Sequence, residues 1–407
     1  MPRQLKPLSD RGPLKTLFLL TTMPVGGAET LLVNLVRRLD KDRFAPEIAC
    51  LKDLDELGEV MSREMKTTSN YLSGKLDLRV LPRLAGYLRK ENMDAIVTVG
   101  AGDKMFWGRI AAKIAGTPVV ACAIHSTGWP DGIGRLNRTL TPITDAFIGC
   151  AEEHGRYLRN EEGFPAEKVH VIPNGVDVDR FQQDTIAGNA IREELQIPVD
   201  APVCGIVAAL RPEKNHDMFL NGAAKILTSL PDARFLIVGD GPERQRLEEL
   251  ATSLNITDSV HFLGTRQDIP AVLAATNVML LTSKMEANPV SILEALATEV
   301  PVVATRVGSV PTTVIDDETG FLVPPGDADA LAEQVSKLLH DPQLASELGK
   351  NGREMVKARY SVDVMVRGYE DLIEEIYASK AGPTSVSQTS TPQDEEPTKE
   401  AELVGAN

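Results

Sequence analysis

The stretch that decides the fold is 276-TNVMLLTSKMEANPVSILEALATEVPVVATRVG-308. Its apolar runs Val278 to Leu281 and Val302 to Ala304 read as buried parallel strands. The residues Pro289 to Ala297 between them carry the helix period, so the segment is a βαβ unit. Asn288 stands where an N-cap belongs and Pro289 where the first helical residue belongs. The free backbone N–H groups of that helix start then point out over the carboxyl end of the first strand, where an anion would bind. Glu286 before the helix and Glu294 on it bracket the start, with seven residues between them. Carboxylates beside an anion site repel phosphate, so their use there is to accept hydrogen bonds from hydroxyls on either side of it. A sugar nucleotide has hydroxyls on both sides of its diphosphate. Two solvated surface acids are the plainer account of the same pair.

The run Glu286-Ala-Asn-Pro-Val-Ser-Ile-Leu-Glu294, continuing as Ala295-Leu-Ala-Thr-Glu-Val-Pro-Val-Val-Ala-Thr305, resembles the Glu-seven-residues-Glu motif of the family 4 retaining glycosyltransferases. That family has the GT-B architecture, an α/β fold of two Rossmann-like doubly wound domains facing across a cleft. The resemblance implies that Glu286 contacts hydroxyls of the donor sugar and Glu294 the nucleotide ribose.

Further matches occur in the family's order. Gly26-Gly27-Ala-Glu29, between the apolar run Lys15 to Thr21 and an amphipathic helix, is a βα turn that lets a ligand approach the backbone. The family has a GGxE loop here, beside the donor diphosphate and the acceptor. His125 ends the run TPVVACAI and so emerges at the carboxyl edge of a sheet, where open α/β sheets bind ligands. The family's His at this place lies close to the reacting centre. The segment IPNGVD, Ile172 to Asp177, matches the turn before the interdomain linker. Arg211 and Lys214 follow the strand-like run from Val203, and the fork of one with the point charge of the other suits a diphosphate. In the family these two cations hold the donor phosphates. They join His125 and Glu286 as the expected catalytic residues. Gly26, Gly27, Asn288, Pro289, Val290, Ser291 and Glu294 are expected to bind the donor. The Gly-Asp-Gly-Pro turn at 239–242 reads mainly as a turn.

This chain departs from the pattern at Ala287-Asn288, where an apolar second residue is usual, and at Glu299, Ser309 and Thr312. These changes leave the donor sugar open. Asp177-Val-Asp179 and Asp327-Ala-Asp329 read as a linker turn and a helix cap, so neither a metal nor another cofactor is expected.

The resemblance and the strand-helix alternation together divide the chain. A loose leader is expected over 1–13, a first acceptor-side domain over 14–181 and a nucleotide-sugar domain over 182–361. A helix over 362–380 should cross back to the first domain. The tail 381–407, rich in Ser, Thr, Pro and Glu, is expected to be disordered. The expected partners are a nucleotide-sugar donor and a sugar, glycolipid or polysaccharide acceptor. A formal net charge of −15 argues against nucleic acid. No run is long and apolar enough to span a membrane, and the start does not read as a signal peptide, so a cytoplasmic place is expected. The four cysteines stand apart and read as buried free thiols. Between Met61 and Lys90 seven Lys or Arg stand against Glu64 and Asp77. A solvated helix face accounts for this segment, and so does peripheral contact with an anionic membrane at the cytoplasmic leaflet. Two other functions fit the same fold: a sugar-nucleotide epimerase or hydrolase, and a non-catalytic scaffold.

Overall fold

A computed structural model describes residues 4–74, 77–125 and 133–381, so the tail expected to be disordered lies outside the described residues apart from Ala381. The strands are β1 (Leu14–Leu20), β2 (Phe44–Cys50), β3 (Thr67–Thr68), β4 (Ala95–Val99), β5 (Val119–Ile124), β6 (Ala146–Gly149) and β7 (Val169–Val171). A second series follows: β8 (Val203–Val207), β9 (Arg234–Val238), β10 (Val260–Gly264), β11 (Val278–Leu281), β12 (Val302–Thr305) and β13 (Gly320–Val323). Among the described residues they form two wholly parallel sheets, ordered β3-β2-β1-β4-β5-β6-β7 and β10-β9-β8-β11-β12-β13. Each order reverses once, between β1 and β4 in the first sheet and between β8 and β11 in the second. Loops leaving the two strands at a reversal diverge and open a crevice at the carboxyl ends. The Gly26-Gly27 loop leaves β1, the Arg211–Lys214 turn leaves β8 and the Glu286 loop leaves β11, so all three belong to such crevices.

The continuous apolar character of the strands follows from burial on both faces. All four residues of β11 and of β12 are buried. Ile292, Leu293 and Leu296 of the helix Val290–Ala297 pack in the same cluster as Met279, Leu281, Val302 and Ala304.

The chain passes between the domains twice, and the two passages are bonded to each other. Val176 N–H donates to the Tyr360 carbonyl at 2.8 Å, and Val362 N–H to the Val176 carbonyl at 2.9 Å. Gly175 is needed there because a Cβ on it would stand 2.6 Å from Val362 Cα. Beyond this crossing the helix Val362–Ala381 returns to the first domain. Met365, Val366, Tyr369, Ile373 and Tyr377 join the core of β1 and β2. Arg43 grips the same helix through Glu370 at 2.9 Å and Glu374 at 2.7 Å.

Arg11 forms two bonds to the carboxylate of Asp94, at 2.9 and 2.5 Å, and lies over the Tyr377 ring. These bonds tie Arg11 to the residue before β4 and to the returning helix. Among the described residues, no helix is long and apolar enough to cross a membrane. All four cysteines are free and buried.

Candidate active site

One cleft of about 600 Å³ is lined by both domains. The first contributes Gly27, Thr30, His125 and Asn174. The second contributes Arg211, Lys214, Glu286, Asn288, Pro289, Val290, Ser291 and Glu294. Of the residues singled out from sequence, Gly26 alone does not line it. Gly26 is the extended residue before the helix Gly27–Arg38, with Glu29 folded back against it.

The Glu286 loop is held from behind. Gly308 has φ of +49°, and a Cβ there would lie 1.8 Å from the Glu286 carbonyl oxygen, so the residue must be glycine. Ser309 Oγ donates to the Ala287 carbonyl, and Thr312 Oγ1 to the Ser309 carbonyl. The Tyr360 hydroxyl, at the domain crossing, donates to the Thr312 carbonyl at 2.9 Å. Ser309 and Thr312, departures from the family pattern, therefore tie the Glu286 loop to the crossing. Glu299, a third departure, takes the left-handed conformation at φ +61°, which glycine adopts without strain.

The helix begins one residue later than its sequence signals. It spans Val290–Ala297, with Pro289 as an extended N-cap residue and no side-chain cap. Asn288 lies one residue ahead of the N-cap; its Nδ2 donates to the Cys150 carbonyl of the first domain at 2.5 Å, and its Oδ1 accepts from no backbone N–H among the described residues. The N–H groups of the first turn still start at the cleft, since Val290 and Ser291 line it.

Lys214 and Glu286 form an ion pair at 2.6 Å, and the same carboxylate oxygen accepts from Ser283 Oγ at 2.6 Å. An ammonium has three donors, so Lys214 can hold Glu286 and still meet a phosphate oxygen. Arg211 is exposed at the cleft and, among the described residues, has no acid paired with it. Glu294 lines the cleft partly buried, and burial pushes its carboxyl up to about 7, against a weaker opposing pull from Arg180. Desolvation of this kind leaves a carboxyl ready to bond hydroxyls of a ligand. The His125 ring is pushed down to about 4 by burial and by the nearby charges of His154 and Lys104, so it is neutral at pH 7. Its Nδ1 is buried without a hydrogen-bond partner among the described residues.

Sequence reasoning did not single out Ser283, Asn174 or Arg180 as site residues. Ser283 stands three residues before Glu286 with no spacing rule to mark it, and Asn174 lay inside a motif read as a linker turn. The two Asp-x-Asp pairs serve structure: Asp177 pairs with Arg38 at 2.7 Å, and Asp327 caps the helix Ala328–His340. Among the described residues, no group of three or more His, Cys, Asp or Glu is placed to hold a metal.

Two parallel sheets of Rossmann order, facing across a cleft that both supply, define a GT-B protein. Solved structures agree on the fold. Anabaena HepE in complex with UDP and glucose matches with a TM-score of 0.78 at 22% identity, over 89% of this chain and 100% of that one. In sequence, the family model of glycosyl transferases group 1 matches residues 188–355 and that of Glycosyltransferase Family 4 matches residues 25–180. A GDP-mannose-dependent alpha-(1-6)-phosphatidylinositol monomannoside mannosyltransferase of Mycolicibacterium smegmatis is 34% identical over 293 residues, 67% of this chain and 74% of the relative. The N-acetyl-alpha-D-glucosaminyl L-malate synthase of Bacillus anthracis is 28% identical over 309 residues, 74% of this chain and 79% of the relative. The chain belongs to the group 1 glycosyltransferases of family 4. It is a glycosyltransferase.

Proposed function

We propose that the protein moves a sugar from a nucleoside diphosphate to a hydroxyl of a glycan or glycolipid with retention of anomeric configuration. The observation that carries this reading is the convergence on one cleft of two cations, a helix start and two carboxylates, with a neutral histidine from the facing domain. Anabaena HepE, of the same fold, has been solved with UDP-glucose, and the mycobacterial relative is GDP-mannose-dependent by name.

In the reaction the bond from the anomeric carbon to the diphosphate oxygen breaks, and its electron pair stays on the diphosphate. The acceptor oxygen bonds to the anomeric carbon on the same face, and its proton passes to the departing phosphate oxygen. The barrier lies in the negative charge that develops on the leaving group. Preorganised charges and dipoles aimed at such a group typically supply the largest part of a rate enhancement. Arg211, Lys214 and the N–H groups at Val290 and Ser291 do this here, Glu294 holds the ribose, and Glu286 holds sugar hydroxyls. The bond from Lys214 to Glu286 keeps the acid in place at the cleft wall.

The test is calorimetric titration with UDP-glucose, UDP-galactose, UDP-N-acetylglucosamine and GDP-mannose. At least one binds the wild type, and Glu294→Ala weakens UDP or GDP binding more than Glu286→Ala does. Absence of binding by every donor and by both diphosphates contradicts the assignment of the cleft.

A further inference from the structure

Tyr360 stands at the end of the helix Pro342–Arg359, where the chain leaves the second domain. Its two polar ends serve different parts of the molecule. The backbone carbonyl accepts from Val176 N–H, on the passage out of the first domain. The hydroxyl donates to the Thr312 carbonyl at 2.9 Å, in the short helix Val310–Thr313. Burial pushes this hydroxyl up, so it keeps its proton and stays a donor throughout the physiological range. From Thr312 the bonds run on toward the cleft. Thr312 Oγ1 donates to the Ser309 carbonyl at 2.7 Å, and the buried Ser309 Oγ donates to the Ala287 carbonyl, next to Glu286. The loop reached in this way has no regular structure between β11 and the helix Val290–Ala297. Side chains from elsewhere hold its carbonyls: Thr305 Oγ1 bonds that of Ser283 at 2.6 Å, Ser309 that of Ala287, and Asn174 Nδ2 of the first domain that of Asn288 at 3.3 Å. Such a loop takes its position from its partners, and a misplacement of about 1 Å at a reacting site can cost on the order of 100-fold in rate.

Resting on the reading that Glu286 holds donor-sugar hydroxyls, we propose that Tyr360 is a positioning residue for Glu286. Its hydroxyl carries the setting of the domain crossing, through Thr312 and Ser309, to the loop that grips the sugar. The grip on the sugar therefore depends on how the two domains stand at the crossing. Arg211 and the N–H groups at Val290 and Ser291, which meet the diphosphate, lie outside this line of bonds. Loss of the tyrosine hydroxyl thus separates the sugar from the diphosphate. A tyrosine that only capped the carbonyl of a short helix would change stability without that separation.

The experiment compares wild type with Tyr360→Phe, which removes only the hydroxyl, with Ser309→Ala, which removes the last bond, and with the double variant. Urea unfolding checks that each folds, and the binding probes are UDP, GDP and the four nucleotide sugars above. For a donor that binds the wild type, each single variant should lose about fivefold in affinity, the scale of one hydrogen bond, while the matching diphosphate changes by less than about twofold. Bonds in series fail together, so the double variant should lose no more than the worse single variant, whereas independent sites would multiply to about 25-fold. Equal losses for donor and diphosphate, or no loss in Tyr360→Phe, overturn the proposal by reducing the tyrosine to a helix cap. Multiplied losses overturn it too, since Tyr360 would then not act through Ser309. Should Ser309→Ala not fold, Tyr360→Phe decides alone by the split between donor and diphosphate. Failure of every nucleotide sugar to bind the wild type removes the donor-site reading and this inference with it. Donor binding that Tyr360→Phe leaves unchanged removes this inference alone.

Discussion

Replacing Lys214 with Ala should reduce stability as well as turnover, and a double variant should separate the two losses. Lys214 Nζ lies 2.6 Å from Glu286 Oε1, and the Glu286 side chain is only 8% exposed. Alanine leaves that carboxylate with the Ser283 hydroxyl and without its counter-charge. A hydrogen bond to a charged group contributes about 1.5–3 kcal/mol. The lysine side chain is 23% exposed, so solvent screens part of the pair. A loss of about 2 kcal/mol is expected. Adding Glu286→Gln removes the unpaired charge while keeping an oxygen for Ser283, so stability should largely return. The coupling between the sites should then exceed about 1 kcal/mol, whereas independent sites add to within about 0.5 kcal/mol. Turnover should not return, because the double variant still lacks the cation proposed to face the leaving diphosphate. Losing one such electrostatic donor costs on the order of 100- to 1000-fold. Urea unfolding and initial rates of the four proteins provide the assay. Additive stabilities would refute the buried pair, and recovered turnover would show that Lys214 serves only to hold Glu286.

Glu294 makes stability pH-dependent. A carboxyl pushed up to about 7 keeps its proton in the folded state when the unfolded chain has lost it, so stability falls as pH rises from about 4.5 to 7. Glu294→Gln should remove a decline of at most about 3 kcal/mol, read from urea midpoints at pH 5 and pH 8, and an unchanged profile would contradict the desolvated placement. Turnover should survive excess EDTA, since the cations and the helix start are proposed to carry the leaving group's charge. Loss in EDTA with recovery in magnesium or manganese would refute that. The segment 61–90 is proposed to give weak, salt-sensitive contact with anionic vesicles, on the order of 1 kcal/mol per surface cation. The contact is weak because Lys66 pairs with Glu91, and Arg79 and Arg83 with Asp77. Absence of sedimentation with such vesicles at low salt would end the proposal.

The strands were legible because a parallel sheet covered on both faces demands unbroken apolar runs, and β4 and β11 begin and end where those runs do. What escaped was set by partners far along the chain. β2 starts at Phe44 and runs through Pro46, a residue that marks the limit of a strand in the sequence, because its register with β1 runs from Leu14↔Phe44. The two-residue edge strand β3 is too short for any period to show. In the site, Arg211, Lys214 and the two glutamates were found by motif, but the bond between Lys214 and Glu286 spans 72 positions and no spacing rule predicts it. Asn288 was read as a cap because Asn-Pro before a helical run is a strong local signal. The helix starts one residue later than that signal, and the Asn288 Nδ2 bonds to the carbonyl of Cys150, 138 positions away.

The most direct test of the account is proton NMR of the reaction with a donor that binds and a panel of glycan and glycolipid acceptors. The account predicts that the donor is consumed only when acceptor is present and that the new anomeric signal has the donor's configuration. Consumption of donor without acceptor, or a product of inverted configuration, would contradict it.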